Sequence, residues 1–233
     1  MIAATKDITI KAADGGSFSA YIALPKTTPA PAVIIVTSIF GTDAEMRELT
    51  DRYADAGFIG IVPDIFWRVE SGPLSPAIEA EAKRAYARKD AFDVGKGVAD
   101  IKSIVDMLGS MKEYSGKFAV SGFCFGGRYA FLAATRLGAS AAVAFHGTAI
   151  GLELGEAAKA TCPLSFHFGD DDAAVPMSEV EAIQAALEHN AKAEICVYRG
   201  AKHGFSSPSR PSYDPEAARL SSERAMKVLE TMK

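Results

Sequence analysis

Cysteine is scarce in this sequence, with three among 233 residues. An odd number, at Cys124, Cys162 and Cys196, argues against a disulfide framework, and no Cys-x-x-Cys pair marks a zinc site. The four histidines are equally scattered and form no His-Glu-x-x-His motif. We therefore expect neither disulfides nor a metal or other cofactor, and we interpret Cys162 and Cys196 as packing residues.

Long apolar runs and blocks of one charge are also missing. Every apolar run ends well short of the about 20 residues that a membrane-spanning helix needs. The net charge is −4 and the charges are interspersed, which excludes a basic surface for nucleic acid or anionic membranes. The first sixteen residues lack the features of a signal peptide. The sequence thus predicts a cytoplasmic protein that acts on a small molecule, as a monomer or alternatively a dimer.

Short apolar segments rich in β-branched residues predict the strands. Because they do not alternate with polar residues, they are typical of parallel strands covered on both faces. These segments are 32–38, 58–64, 117–123, 140–147, 163–170 and 194–200. Two alternating segments, 6–12 and 18–24, flank the turn at Asp14-Gly15-Gly16 and predict an antiparallel hairpin.

Stretches with helical periodicity lie between these strands. One follows a cap at Thr42 or Asp43, and others are centred on Ile101 and Ile183. A leading hairpin followed by strand–helix units predicts an α/β fold, a doubly wound and mostly parallel sheet, in a single domain over residues 1–233. Residues 66–90, with two prolines and a charged helix, are interpreted as an excursion that covers part of a pocket.

The segment 119–130 is the most informative in the chain. An apolar strand runs into Gly122-Phe123-Cys124-Phe125-Gly126-Gly127, and an alanine-rich helix follows. This is the pattern of a nucleophile elbow in which cysteine replaces serine, since glycines tolerate the strained turn. The helix N-terminus also favours a thiolate. The alternative is a small buried cysteine under a tight turn.

Two later strand ends supply the partners that a nucleophile needs. The strand at 163–168 runs into Asp170-Asp171-Asp172, and the strand at 194–200 runs into Lys202-His203-Gly204. The order nucleophile, acid, histidine is the one found in α/β-hydrolases, and strand carboxyl ends build sites in such sheets. The order favours a catalytic role for Cys124 and His203 and leaves the acid among three aspartates.

At this point the chain resembles the dienelactone hydrolase family of α/β-hydrolases. The resemblance spans nearly the whole chain and is carried by short segments at strand ends. These are Ile39-Phe40-Gly41, Pro63-Asp64, Ala85-Tyr86, Ala91-Phe92-Asp93, 122–127, 169–176 and His203-Gly204-Phe205. It implies an α/β-hydrolase fold and a triad of Cys124, His203 and Asp172, the last chosen because it stands three residues before Val175-Pro176.

The expected chemistry is hydrolysis of small carboxylic esters or lactones through a thioester on Cys124. His203 moves the protons, and Asp172 orients and stabilises its imidazole. The backbone N–H groups of Phe125 and Ile39 are the expected oxyanion donors. A thiolate is a good leaving group, so amide hydrolysis is disfavoured.

Three positions depart from the family pattern. The best-known members have a glutamate where this chain has Ser38, and two arginines for the substrate carboxylate where it has Ala82 and Ser207. A neutral or less acidic substrate is therefore expected. The candidates to replace those arginines are Arg84, Arg88, Arg128 and Arg210, and we interpret each as a solvated surface charge.

The remaining candidates for substrate binding are Ser38, Tyr86, Trp67 and His146. Each has a packing alternative, and for His146, at a strand end, a structural role is preferred. His167, inside a strand, is interpreted as a satisfied core histidine. Two other functions stay open. One is hydrolysis of another electrophile, such as an organophosphate triester; the other is a non-catalytic ligand-binding or redox-sensing scaffold with an oxidisable Cys124.

Overall fold

The chain begins with an antiparallel hairpin and continues into parallel strands, as predicted. In the computed structural model, which describes residues 1–233, the first strands are β1 (Ile2–Lys11), β2 (Ser17–Pro25), β3 (Ala30–Val36) and β4 (Ile59–Pro63). β1 and β2 pair antiparallel, β2 continues antiparallel onto β4, and β3 and β4 are parallel. Every residue of β3 and β4 is buried. This burial explains why their sequences lack alternation.

The later strands form a parallel set in which each strand pairs with the next. These are β5 (Tyr114–Phe123), β6 (Ala141–Phe145), β7 (Leu164–Gly169) and β8 (Ala193–Tyr198). Because all of them run in the same direction, their carboxyl ends share one edge, the edge at which α/β folds build sites. The predicted fold class, α/β with mostly parallel strands and a leading hairpin, is confirmed.

The helices alternate with the parallel strands. They are α1 (Ala44–Asp55), α2 (Glu79–Asp90), α3 (Val94–Gly109), α4 (Gly126–Arg136), α5 (Met177–Leu187) and α6 (Pro215–Glu230). Asp43, one of the two predicted caps, begins α1 by accepting from the Met46 N–H at 3.0 Å. α4 packs against β6, and α6 packs against β6 and β7.

Two elements have no counterpart in the sequence predictions. A 3₁₀ helix covers Ile150–Lys159, and α6 follows Asp214, whose side chain caps the helix just before Pro215. The pair Asp214-Pro215 is thus a sequence signal for the start of α6. None of the helices combines the length and apolar character that crossing a bilayer requires.

Two compact units can be distinguished along the chain, residues 1–118 and 119–233. The division falls inside β5 rather than in a linker. The first unit holds β1–β4 and α1–α3, and the second holds β6–β8 and α4–α6. The single domain over residues 1–233 stays a prediction.

Candidate active site

The turn between β5 and α4 has the geometry of a nucleophile elbow. Cys124 is partly exposed and lies in the left-handed region, with φ of 53°. A Cβ on Gly122 would meet the Gly126 carbonyl oxygen at 2.1 Å, and one on Gly127 would meet the Gly147 Cα at 2.3 Å. Both glycines are therefore required by close backbone approach.

Hydrogen bonds hold the backbone of Cys124 on both sides. Its N–H donates to the Phe145 carbonyl at 3.0 Å. Its own carbonyl accepts from the N–H groups of Gly127 at 2.9 Å and Thr148 at 3.0 Å. The end of β6 and the residues after it thus fix the strained residue in place, which such a conformation needs in order to persist.

One carboxylate oxygen of Asp172 is held by backbone N–H groups, and the other accepts a hydrogen bond from His203. Oδ1 accepts from the N–H groups of Ala174 at 2.8 Å and Val175 at 3.2 Å. Oδ2 accepts from Nδ1 of His203 at 2.8 Å, and the Asp172 side chain is fully buried. A carboxylate fixed in this way holds the imidazole in one orientation.

The two neighbouring aspartates serve the loop instead. Asp170 accepts from the Gly200 N–H at 2.5 Å. Asp171 is exposed, and its carboxylate lies 3.8 Å from Nζ of Lys202. Asp172 is the aspartate of this run that hydrogen-bonds to His203.

His203 is held between Asp172 and Cys124. Burial opposes a charge on its ring, but hydrogen bonds with Asp172 and Cys124, and the negative charges of both, outweigh burial and raise the pKa of His203 to about 10. The Ser212 hydroxyl fixes the His203 backbone by donating to its carbonyl at 2.6 Å. At neutral pH the ring next to the sulfur therefore carries a proton, which is the partner that a thiolate requires.

His146 lies next to this group. Its ring is edge-to-face with that of His203, with centroids 4.8 Å apart, and its Nε2 lies 3.1 Å from the Ser206 hydroxyl. The side chain is buried. The sequence identified His146 as a candidate, but the contact with Ser206 carries no sequence signal.

Ser38 and Ile39, two of the predicted site residues, lie in a turn directly after β3. The Gly41 N–H donates to the Ser38 carbonyl at 3.1 Å, and the Ser38 hydroxyl lies 3.3 Å from the Phe40 nitrogen. No acceptor meets the N–H of Ile39, while its carbonyl accepts from Nε of Arg88 at 2.9 Å. Ser38 caps its own turn, and the Ile39 N–H remains available as a donor.

Trp67 and Tyr86 differ in burial. The indole N–H of Trp67 donates to Asp100 at 2.8 Å, and its ring stacks on Phe18 and covers Gly16. These contacts favour the packing alternative for Trp67. Tyr86 is 59% exposed on α2. Their roles in substrate binding stay predictions.

The interpretation of Arg88 as a surface charge is wrong. Its side chain is 1% exposed, because its donors satisfy the backbone carbonyls of Ile39, Glu70 and Gly72. No local pattern indicates this role, since Arg88 lies in a helix rich in alanine and charged residues. Arg84 pairs with Glu70, and Arg128 pairs with Glu153.

The other histidine and cysteine interpretations agree with the structure. His167 is fully buried, with Nε2 3.0 Å from the Ser165 hydroxyl and Nδ1 3.0 Å from the Tyr198 hydroxyl. Burial raises the pKa of Cys162 to about 11, and Cys196 is buried. All three cysteines are free thiols. No three or more His, Cys, Asp or Glu side chains are grouped to hold a metal ion.

Known proteins of similar sequence share one family. The model of the dienelactone hydrolase family matches residues 18–233. A carboxymethylenebutenolidase of Pseudomonas putida is 31% identical over 226 residues, which cover 97% of this chain and 96% of that protein. A carboxymethylenebutenolidase of Pseudomonas sp. (strain P51) is 32% identical, with 98% and 96% covered.

Solved structures agree with the fold. A crystal structure from Klebsiella pneumoniae subsp. pneumoniae MGH 78578, provisionally named a dienelactone hydrolase, has a TM-score of 0.81 at 27% identity and covers 98% of this chain and 99% of its own. A dienelactone hydrolase-like promiscuous phosphotriesterase from metagenomic libraries has a TM-score of 0.78 at 22% identity, with 99% of both chains covered. The second likeness concerns the fold alone.

Proposed function

The chain belongs to the dienelactone hydrolase family, and we propose that it is a cysteine-dependent hydrolase of small carboxylic esters or lactones. The observation that carries the proposal is the position of His203, which hydrogen-bonds to a buried carboxylate at one ring nitrogen and interacts with the sulfur of an elbow cysteine. A cysteine that only filled space would need neither partner. The catalytic groups are Cys124, His203 and Asp172.

The raised pKa of His203 sets the first half of the reaction. In the free enzyme the ring of His203 is protonated, and we propose that Cys124 attacks the carbonyl carbon as the thiolate of an ion pair with this ring. The N–H groups of Phe125 and Ile39 are proposed to receive the oxyanion, and loss of one such donor costs about 3 kcal/mol. As the carbon–oxygen bond breaks, His203 gives its proton to the leaving alkoxide, and a thioester on Cys124 remains.

Acylation itself prepares the second half. Two of the influences that raise the pKa of His203 come from Cys124, and a thioester sulfur carries no charge. With those influences removed, the pKa of His203 falls, which favours its action as a general base. His203 then takes a proton from water, the hydroxide adds to the thioester, and Cys124 leaves as thiolate. Asp172 stabilises the imidazolium at both stages.

A neutral or weakly acidic acyl group is the proposed substrate class. The positions at which related enzymes carry two arginines are Ala82 and Ser207 here. Among the candidate replacements, Arg84 and Arg128 are paired with glutamates and Arg88 with backbone carbonyls. These pairings support a pocket without a dedicated clamp for a substrate carboxylate.

Hydrolysis of p-nitrophenyl butyrate by the wild type, Cys124→Ala and His203→Ala tests the proposal. We expect both variants to lose at least about 10³-fold in kcat/KM, since the residues of such a triad act as a unit. Cys162→Ala is the matched control and should retain the activity. Equal rates in the wild type and Cys124→Ala would refute the role of the cysteine.

Two further substrates separate the finer alternatives. The monoanionic p-nitrophenyl succinate should be hydrolysed more slowly than the butyrate ester, and a preference for it would contradict the proposed substrate class. With a diethyl p-nitrophenyl phosphate, the proposal expects one equivalent of p-nitrophenolate and a stable adduct on Cys124. Sustained turnover of the phosphate above that of the ester would make the organophosphate alternative the better assignment.

A further inference from the structure

His146 is attached to the backbone of the elbow on both sides. It follows β6 directly, and the residue before it accepts from the Cys124 N–H while Thr148 donates to the Cys124 carbonyl. The backbone of His146 has φ of 42°, and its N–H donates to the His167 carbonyl at 2.7 Å. A left-handed conformation is strained for a residue with a Cβ, and such strain clusters at functional sites.

The side chain of His146 contacts both His203 and the loop that carries it. The two imidazoles are edge-to-face, at 70° with centroids 4.8 Å apart. Nε2 lies 3.1 Å from the hydroxyl of Ser206, three residues after His203 in the chain. The ring also contacts Phe205 at 5.6 Å. One buried side chain therefore contacts the ring of His203 and, through Ser206, the loop that follows it.

The protonation state of His146 suits this position. Burial, then the positive charges of His203 and Arg210, lowers the pKa of His146 well below its ordinary value, so the ring is neutral. A neutral ring can pack against a protonated one without repulsion. Its other nitrogen, Nδ1, is buried and has no partner, which costs free energy that an apolar side chain of similar size would avoid. Packing alone does not explain a histidine here.

We infer that His146 is a positioning residue that holds the imidazole of His203 between Asp172 and Cys124, by ring packing and through its hydrogen bond with Ser206. The inference rests on the proposed function, because it takes His203 as the group that moves protons. It differs from the prediction that His146 binds substrate: the ring acts on His203 and is not required to touch a ligand.

Titration of His203 in histidine-labelled protein tests the inference without any substrate. With four histidines in the chain, NMR can follow each ring separately. In His146→Phe, which keeps a ring and the neutral charge, His203 should move relative to Asp172 and Cys124. Because its hydrogen bonds weaken while burial remains, its titration should shift down from pH 10 by about one unit or more.

His167→Phe is the matched control, because it also removes a buried histidine, in this case from β7, the strand that pairs with β6. It leaves the Ser165 and Tyr198 hydroxyls without their partner and should lower stability, yet leave the titration of His203 in place. An unchanged titration in His146→Phe, or an equal shift in both variants, would overturn the inference.

Ser206 provides a second and milder variant should His146→Phe fail to fold. Ser206→Ala should lower the rate of Cys124 alkylation by iodoacetamide at neutral pH about threefold to tenfold, and Ser206→Thr, which keeps the hydroxyl, should restore it. Alkylation needs no ester. If the alkylation rates follow this pattern but the wild type hydrolyses no ester, the proposed function is refuted and the inference about His146 stands. Identical alkylation rates in Ser206→Ala and the wild type would contradict the inference.

Discussion

The loops that follow the parallel strands differ between the two units of the chain. In the second unit, β5, β7 and β8 end in loops whose side chains can react or move protons, namely Cys124, Asp172 and His203. In the first unit, the loops after β3 and β4 are fixed by hydrogen bonds from backbone to side chain. The same position at a strand end is therefore proposed to serve chemistry in one unit, while it fixes the loop shape in the other.

Buried charge shows the difference most clearly. His203 holds a proton because two negative partners face it. Arg88 in the first unit is more deeply buried, at 1% exposed against 30% for the His203 side chain, but it faces carbonyl dipoles, with Nη1 3.0 Å from the Glu70 oxygen and 2.8 Å from the Gly72 oxygen. Its guanidinium also stacks on Phe66 at 4.3 Å. Burial lowers the pKa of Arg88 without neutralising it, so this charge is structural.

The largest effect on activity is expected when the carboxylate of Asp172 is removed from the second unit. Asp172→Asn removes the negative charge that stabilises the imidazolium, so kcat/KM for a p-nitrophenyl ester should fall about 10²-fold to 10⁴-fold. The pKa of His203 should fall as well, because Asp172 raises it through a hydrogen bond and through its charge. Ester kinetics and the NMR titration of His203 measure the two effects.

Asp171→Asn is the control for this change. The residue is adjacent, carries the same charge and is exposed, so both quantities should remain close to those of the wild type. A similar loss of activity in the two variants would mean that the net charge of the loop matters and that the contact with His203 does not.

A smaller effect on activity, with a larger one on stability, is expected in the first unit. Arg88→Met keeps an apolar stem but leaves one buried and two partly buried carbonyls without their donors, which should lower the free energy of unfolding by about 2–4 kcal/mol. Because one of those carbonyls belongs to Ile39, kcat should also fall, by about tenfold. Urea unfolding and ester kinetics test both parts.

The control is Arg84→Met, one helical turn earlier on α2. Arg84 pairs with Glu70 at the surface, and such pairs contribute at most about 1 kcal/mol. Alkylation of Cys124 by iodoacetamide should be unaffected by either arginine variant, because it forms no oxyanion. A loss of alkylation in Arg88→Met would assign its effect to general disruption.

Sequence periodicity predicts the strands and most helices of this chain because burial on both faces leaves a local signature. β3 and β6 are apolar throughout and stand out at once. The elbow is equally readable, since Gly122 is required by a contact with the Gly126 backbone only four residues later. The acid needed the family resemblance, since backbone geometry decides among the three aspartates and composition does not.

The roles of Arg88 and His146 depend on contacts that are distant in sequence. Arg88 is surrounded by charged residues on α2, and its burial depends on carbonyls 16 to 49 residues away. His146 meets Ser206 across 60 residues. A histidine that ends a buried parallel strand is a signal for a site, and the sequence analysis used it, but its partner follows only from the three-dimensional arrangement.

The last expected difference is in how the stabilising contributions of His203 and Arg88 respond to pH. The folded pKa of His203, about 10, lies above its ordinary value of 6.5. The folded state therefore binds the proton more tightly, so the contribution of His203 to stability is complete below pH 6.5 and is lost as the pH rises through 10. The difference in unfolding free energy between the wild type and His203→Gln should shrink over this range.

The corresponding difference between the wild type and Arg88→Met should stay constant from pH 6.5 to 10, because a guanidinium keeps its proton there. His167 gives the opposite sign. Burial lowers its pKa to about 3, so the unfolded state binds more protons below pH 6.5 and stability falls as the pH falls. Urea unfolding at several pH values distinguishes the contributions of His203, Arg88 and His167 to stability. If the contribution of His203 were independent of pH, its proton would not be held by Asp172 and Cys124, and the contrast between a titrating site and a fixed scaffold would fail.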